Sequence, residues 1–208
     1  MVLITSGIVQ VKLSCYFYNP LRKVMSTRIA LLRSVNVLGK NMIKMPELAR
    51  AFEEAGFRDV KTYIQSGNII FGTSEESAEA LSSKIRALID KKFGLTIETV
   101  VITPRELADI VAQNPFAKKT GIDLTRQHVT FLDRDIDPAK AEKLLSYHYP
   151  PDEIITGNRV VYVYCPDGYG RTKYHNNFIE KKLSANATSR NWNTCLRLLE
   201  MCREQAIF

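Results

Sequence analysis

The stretch TRIALLRSVNVLGKNMIKMPELARAFEEAGFRDVKTYIQSGNIIF, residues 27–71, decides the fold of this chain. Its apolar run 29–32 is typical of a strand that helices cover. A polar loop, residues 34–45, follows it. Pro46 then suits the first turn of a helix, because that position needs no backbone N–H donor. Apolar residues recur at helical spacing until Gly56, a residue type that commonly ends helices.

The same stretch ends in a predicted β-hairpin. Residues 60–64 and 68–71 are strand candidates, and Gln65-Ser66-Gly67-Asn68 forms the turn, because Gly and Asn tolerate positive φ. The pattern Thr73-Ser74-Glu75-Glu76 is that of a capping box and predicts the start of a second helix. Residues 98–103 are rich in β-branched side chains, which favours a fourth strand. The order β-α-β-β-α-β is that of a ferredoxin-like unit.

This order predicts which polar residues meet. A right-handed crossover makes the first two strands parallel, so the loop 34–45 and the turn 65–68 lie at the same edge of the sheet. We therefore expect a shared edge with flexible, polar residues. The residues of the loop and turn that we expect at this edge are Asn36, Gly39, Lys40, Asn41, Ser66, Gly67 and Asn68.

The second half of the chain repeats the pattern. A strand candidate at 128–132 precedes a helix that begins after Asp137-Pro138, and paired strands then flank Thr156-Gly157-Asn158. The segments IQSGNIIF (64–71) and IITGNRVVY (154–162) share one pattern, which indicates an internal duplication. We predict an α+β fold with two ferredoxin-like units in tandem and a C-terminal helix.

Two segments carry a family resemblance. NVLGKNMIKMPELARAFEEAGFRDVKTYIQSGNIIF (36–71) and ATSRNWNTCLRLLEM (187–201) resemble the opening and closing motifs of an uncharacterised bacterial family, the domain of unknown function 1697. Ser189 stands where that family more usually has threonine, and Leu38 where it often has glycine. The resemblance covers about residues 25–202 and implies two ferredoxin-like units. It implies no established activity and no catalytic residues.

The domain boundaries follow from these patterns. We predict a first unit at 25–104, a connecting helix and linker at 105–126, and a second unit with the C-terminal helix at 127–208. Residues 1–24 lack the basic start and cleavage site of a signal peptide. We expect them to be a start-site artefact or a disordered extension, and an added edge strand is the structural alternative.

Composition narrows the class of protein. The chain has 208 residues, of which 45% are hydrophobic, and its net charge of +7 is a mild excess that is compatible with anionic partners. No apolar run approaches the roughly 20 residues that span a bilayer, so we expect no membrane partner. Four cysteines without a CxxC pair or metal-ligand spacing favour the reducing cytoplasm and predict neither a metal nor a cofactor.

Two motifs point to anion binding. VNVLGKN fails the Walker pattern, but its Gly-Lys pair, its amide side chains and a nearby helix N-terminus are suited to an anion. TSRNWNT places Arg190 before the last helix, either to clamp a carboxylate or phosphate or to tie the helix to an internal acid. The predicted ligand-binding residues are Arg33, Asn36, Gly39, Lys40, Asn41, Ser66, Gly67, Asn68, Arg190 and Asn191.

Catalytic residues stay unassigned. The three histidines show no spacing with a nucleophile, and we expect His128 to be structural. The loop GYGRTKYHNN (168–177) is either a ligand-contacting loop or a solvated basic loop. The aromatic residues that an RNA-recognition sheet needs are absent from the first strand, which argues against nucleic acid.

Three functional hypotheses remain open. The first is the binding of a small phosphate-bearing or otherwise anionic ligand at the shared edge. The second is an enzyme, a transferase or hydrolase, that uses Lys40 or His175 for proton transfer on such a ligand. The third is an interaction scaffold or dimer, which an exposed apolar patch would favour.

Overall fold

The computed structural model describes residues 25–75 and 77–205. In the first half of these described residues, the strands and helices follow the predicted order. Its elements are β1 (Ser26–Leu32), α1 (Met45–Glu54), β2 (Arg58–Tyr63), β3 (Asn68–Thr73), α2 (Ala78–Phe93), β4 (Thr99–Ile102) and α3 (Pro104–Ala112).

The second half follows after two short 3-10 turns, at Pro115–Lys118 and Leu124–Arg126. Its elements are β5 (Gln127–Leu132), α4 (Pro138–Leu145), β6 (Glu153–Gly157), β7 (Val160–Tyr164), α5 (Asn176–Leu183), β8 (Ala187–Asn191) and α6 (Trp192–Gln205). The chain is therefore a mixed α/β protein that ends in a helix.

Each half forms one four-stranded antiparallel sheet. The strand order is β2-β3-β1-β4 in the first sheet and β6-β7-β5-β8 in the second. The central strand β1 pairs with β3 through Ile29 and Ile70, and with β4 through Ile29 and Ile102. β5 likewise pairs with both β7 and β8. The two sheets thus use the same order of elements, which is compatible with two duplicated units.

Local capping sets most helix boundaries. The pattern Thr103-Pro104-Arg105-Glu106 predicts a capped helix start, and Thr103 does cap α3 in a complete capping box with Glu106. The predicted capping box at Thr73 is wrong, because β3 continues through Thr73 and the side chain of Ser77 caps α2 instead. The sequence predicts a helix end near Phe93-Gly94, and α2 does end there, with Gly94 as its C-cap at a φ of +65°, which suits a residue without a Cβ atom.

Three apolar cores hold the fold together. One lies between the two sheets, where their facing strands meet α3 and α6. The second packs α1 and α2 on the outer face of the first sheet, and the third packs α4 and α5 on the outer face of the second. Because the middle core takes side chains from both halves, the halves stabilise each other.

The last helix packs on the middle core with most of the stripe that its spacing predicts, which is Trp192, Leu196, Leu199 and Met201 or Cys202. Trp192, Leu198 and Leu199 are buried there, whereas Leu196, which the spacing predicts inside, is exposed. Trp192 is the first residue of α6. At 100° per residue around the helix axis, Leu196 lies about 40° from Trp192 in one direction and Leu198 about 120° from it in the other. The buried stripe therefore extends from Trp192 towards Leu198 and leaves Leu196 outside.

Some predictions fall outside the described residues. The expected character of residues 1–24 lies there and stays a prediction. Among the helices within residues 25–75 and 77–205, none combines the length and the hydropathy that a membrane-spanning segment needs.

Candidate functional site

The loop after β1 is unusually rich in left-handed backbone. Between β1 and α1, five residues have φ between +49° and +73°. This region of φ is costly for residues that carry a Cβ atom. The five residues are Ser34, Asn36, Leu38, Gly39 and Asn41.

Two asparagine side chains fix the loop in this shape. The side-chain amide of Asn36 donates to the carbonyl oxygens of Ile43 (2.9 Å) and Gln65 (2.8 Å), and its Oδ1 accepts from the backbone N–H of Ile43 (2.8 Å). The side chain of Asn41 donates to the carbonyl of Ser34 at 3.0 Å. These amides therefore stabilise the loop through bonds to the backbone.

The hairpin turn lies beside the loop, as the topology predicts. The bond from Asn36 to the carbonyl of Gln65 joins the two segments directly. Gly67, with φ of +73°, lies against β1, where a Cβ atom would come within 2.8 Å of the Cβ of Leu32. Only glycine fits this close approach.

Arg190 links the two halves from the inside. It lies on β8, is 6% exposed, and its Nε donates to Oδ1 of Asn68 at the start of β3. Its Nη2 donates to the carbonyl oxygens of Leu32 (2.8 Å), Ser66 (3.1 Å) and Gly67 (3.2 Å). The residue therefore joins the last strand of the second sheet to the turn and the central strand of the first.

The acceptors around Arg190 are all neutral. Its Nη1 donates to the hydroxyl of Thr188 and to the carbonyl of Ser189, both at 2.8 Å. The expected tie to an internal acid is therefore wrong, since carbonyl, amide and hydroxyl oxygens take its place. Burial lowers the pKa of Arg190 to about 10, but it remains a cation near neutral pH.

The predicted ligand-binding residues thus divide into separate groups. Asn36, Ser66, Gly67, Asn68 and Arg190 form one bonded cluster that holds the shared edge together. The others lie apart: Gly39 and Lys40 at the exposed loop, Asn41 at its base, Arg33 against Glu180, and Asn191 at the start of α6, where it accepts from the N–H of Thr194. Ligand binding by these residues stays a prediction.

The outer surface of this edge is apolar, which the sequence reading missed. Leu38 is 95% exposed and Met42 66%, while Val37 and Ile64 are about half exposed. Ile64, in the turn next to Gln65, has φ of +47°, which is an outlier for a β-branched residue. We call Val37, Leu38, Met42 and Ile64 the apolar tip. The exposure of these four side chains and the positive φ of Leu38 and Ile64 are visible only in the structure, so no sequence signal would have identified the tip.

A polar groove lies between the two halves. One cavity of about 400 Å³ is lined by Ser82, Arg86 and Arg159 among others. A more open cavity of about 510 Å³ is lined by Arg33 and Lys181. The two cavities share Glu98, Arg134 and Asn186, so they form one surface, which we call the inter-half groove.

Four arginines converge on the inter-half groove. Each has a carboxylate partner at 2.8 to 3.1 Å: Arg33 with Glu180, Arg86 with Glu98, Arg134 with Asp133 and Arg159 with Glu106. Three of these arginines were missed by the sequence reading, because they lie far apart in the chain and only tertiary packing brings them together.

Two of these arginines keep a buried donor without an acceptor. Within residues 25–75 and 77–205, the only buried side-chain nitrogen or oxygen atoms that lack a hydrogen-bond partner are Nε of Arg33 and Nε of Arg159. Buried polar groups in folded proteins almost always have a partner, including a bound water or ion. Both arginines line the inter-half groove, Arg159 in the first cavity and Arg33 in the more open one.

The remaining candidate residues have structural contacts. Nδ1 of His175 caps α5 by accepting from the N–H of Phe178 at 3.3 Å. His128 stacks on Tyr169 with ring centroids 4.3 Å apart, and burial lowers its pKa to about 4. Phe131 is buried in the middle core. In the described part of the chain, no group of three His, Cys, Asp or Glu side chains is placed to hold a metal ion.

Comparison with known proteins gives a family and a related fold. The family model described as "Protein of unknown function (DUF1697)" matches residues 25–162. The structure of the conserved bacterial protein SP0830 from Streptococcus pneumoniae is similar, with a TM-score of 0.68 and 22% sequence identity over 86% of this chain and 99% of that one. No curated protein matches the chain significantly. At this identity the structural likeness bears on the fold alone.

Proposed function

The chain belongs to the DUF1697 family of proteins of unknown function, and we propose that it binds a small phosphate-bearing or otherwise anionic ligand. The sequence suggests the edge formed by loop 34–45 and turn 65–68 for this ligand. Four cavities of the described part of the chain, the two of the inter-half groove among them, have no lining contribution from Asn36, Lys40 or Asn41. We therefore propose the neighbouring inter-half groove, which shares Arg33 with the predicted set.

One observation carries this proposal. The two buried guanidinium N–H groups without an acceptor belong to Arg33 and Arg159, and both residues line the same groove. A phosphate or carboxylate group supplies several acceptors at once, and guanidinium groups match its geometry. Arg134, whose side chain is largely exposed beside them, supplies a third cation.

The ligand would have to compete with carboxylates. Every arginine of the groove already has an acidic partner, so the ligand must displace or share these contacts. Burial by itself raises the pKa of the Asp133 carboxyl, but the contacts with Arg134 and Asn186 together outweigh it, so the pKa is lowered and the carboxylate is favoured. A doubly charged phosphate competes better than a single carboxylate, which favours phosphate-bearing ligands.

A thermal-shift measurement on the full chain tests the proposal. The probes are inorganic phosphate, nucleotides, sugar phosphates and a short RNA. A ligand at 100 times its Kd adds about 2.7 kcal/mol of stability, which raises the Tm of a chain of this size by about 5 to 10 °C. The expected result is a rise with at least one phosphate-bearing probe.

Matched variants locate the site. R134A and R33A should abolish the rise, while R197A, which removes an exposed arginine of α6 paired with Glu200, should leave it unchanged. The proposal is refuted if no anion raises the Tm, or if R134A and R33A respond like R197A. The enzyme alternative receives no support from Lys40 or His175, because neither residue lines these four cavities.

We also propose that the halves are tandem ferredoxin-like units that arose by duplication. The equal strand orders support this, and so do α3 and α6, which each follow the last strand of their half and pack together in the middle core. The predicted linker segment 105–126 then includes most of α3, which is the counterpart of α6 in the first unit.

The cytoplasm is the proposed location, supported by the free thiols of Cys165, Cys195 and Cys202.

A further inference from the structure

The apolar tip has an unusual combination of exposure and backbone conformation. Leu38 and Ile64 are both exposed, and both have φ near +48°, where bulky side chains are disfavoured. An exposed leucine in this conformation contributes nothing to the core of the protein. Strained residues of this kind persist where the surrounding structure holds them, and they occur most often at functional sites.

The surrounding structure does hold them. Lys40 donates its backbone N–H to the carbonyl of Val37 at 2.9 Å, which closes a tight turn with Leu38 and Gly39 at its apex. The side chain of Asn36 ties this turn to the hairpin turn that carries Ile64. These bonds hold the backbone of the turn against the hairpin, which reduces the further ordering that binding through the apolar tip requires.

The loop that carries most of the apolar tip has charges of one sign. From Ser34 to Pro46 the sequence contains no Asp or Glu, while Lys40 and Lys44 are exposed. Lys44 contacts Glu47 at 3.2 Å, yet its side chain remains 81% exposed. Apolar side chains flanked by lysines are complementary to an anionic lipid surface, where the apolar groups enter the interface and the lysines face the headgroups.

The shape of the tip selects among partners. Leu38 lies at the apex of a turn and is 95% exposed, and none of the four cavities named above is lined by a residue of the apolar tip. An apolar tip at the apex of a turn fits a surface that deforms around it, as the headgroup region of a bilayer does. We propose that the apolar tip docks the protein peripherally on anionic membranes, with Lys40 and Lys44 facing the lipid headgroups. This contact goes beyond the proposed ligand site and replaces the expectation, drawn from the lack of a spanning segment, that no membrane is a partner.

Co-sedimentation of the full chain with vesicles tests this proposal. The probes are vesicles of phosphatidylcholine alone and vesicles that contain 30% phosphatidylglycerol. We expect binding to the anionic vesicles only, a loss of at least tenfold in affinity for the L38G/M42S variant, and a smaller loss for K40Q. L196Q, which makes the same kind of change at an exposed leucine of α6, should bind like the wild type.

The fold of each variant is checked by its far-UV circular dichroism and Tm. Because Leu38 and Met42 are exposed, the L38G/M42S variant should fold normally. Absence of binding to anionic vesicles overturns the proposal, and so does binding that L38G/M42S and K40Q leave unchanged. Concentration-dependent self-association of the wild type that L38G/M42S abolishes, without vesicle binding, also overturns it and assigns the tip to a contact between copies of the chain.

Discussion

Replacing Arg190 with alanine should destabilise the protein by about 3 to 5 kcal/mol. The change removes a buried guanidinium and leaves the carbonyls of Leu32 and Gly67 and the amide oxygen of Asn68 without their donor. Each buried acceptor left unpaired costs about 1–3 kcal/mol, although water entering the cavity recovers part of this. The loss resembles that from breaking a buried charged network and is a large fraction of a typical 5–15 kcal/mol stability.

One effect opposes this loss. Burial lowers the pKa of Arg190 to about 10, which means that the fold pays a desolvation penalty to keep it charged. Alanine removes that penalty, and we therefore place the net cost well below the sum of the six individual hydrogen bonds. Lysine at the same position keeps a charge but loses the planar fork of donors, so R190K should lose about 2 to 4 kcal/mol.

Urea unfolding followed by circular dichroism measures these losses by linear extrapolation. R197A is the matched control, since Arg197 contacts Glu200 at 2.6 Å on the exposed surface of α6, where solvent screens ion pairs, and its loss should leave the free energy of unfolding nearly unchanged. A double-mutant cycle of R190A with N68A should give a coupling energy above about 1 kcal/mol. A cost of R190A below about 1 kcal/mol, or additivity of the two changes within about 0.5 kcal/mol, would refute the linking role.

Three further predictions concern single groups. Burial lowers the pKa of His128 from 6.5 to about 4, so between these pH values the unfolded chain binds a proton that the folded chain does not. The contribution of His128 to the free energy of unfolding is therefore full above pH 6.5. It falls by up to about 3 kcal/mol towards pH 4, which urea unfolding at several pH values measures. L38G removes the left-handed strain at an exposed site and should raise stability by about 1 kcal/mol, or Tm by about 2–4 °C, in a thermal scan. Ellman's reagent should label at most one of the four thiols of the native protein, because burial raises the pKa of Cys165 and Cys202 to about 11 and of Cys195 to about 12.

Each of these predictions has its own control. H128F keeps an aromatic ring stacked on Tyr169 but has no titrating group. If H128F and the wild type lose the same stability between pH 6.5 and pH 4, the role of His128 is contradicted. A lower Tm for L38G would show that the loop is not strained at its apex. Labelling of two or more thiols at the rate seen in urea would mean that the cores open readily.

Local sequence patterns were sufficient for most of the elements. The capping box at Thr103, the stop at Gly94 and the hairpin at 65–68 depend on neighbouring residues, and the structure has all three. The start of α2 was misplaced because Thr73 also fits a strand, and its pairing with Ser26 across the sheet decided the competition. Helix periodicity likewise predicted Leu196 inside, but the position of α6 on the middle core exposes it.

The candidate site was predicted only in part. Sequence order and handedness were enough to bring the loop next to the turn, which the bond from Asn36 to Gln65 confirms. They did not reveal that Asn36 bonds to Gln65 and Arg190 to Asn68 within the protein, because partners that lie 29 and 122 residues away leave no local pattern. The arginines of the inter-half groove come from separate elements for the same reason.

The sequence by itself determined the order of elements, the antiparallel hairpins and the edge at which loop and turn meet, because these depend on periodicity, caps, turn residues and chain handedness. Only the tertiary structure decided which polar groups are consumed inside the protein and which face solvent. Packing the two sheets around a shared core buries Arg190, leaves the apolar tip outside and forms the inter-half groove. Those outcomes depend on contacts between distant segments, where burial and hydrogen bonding are settled jointly rather than residue by residue.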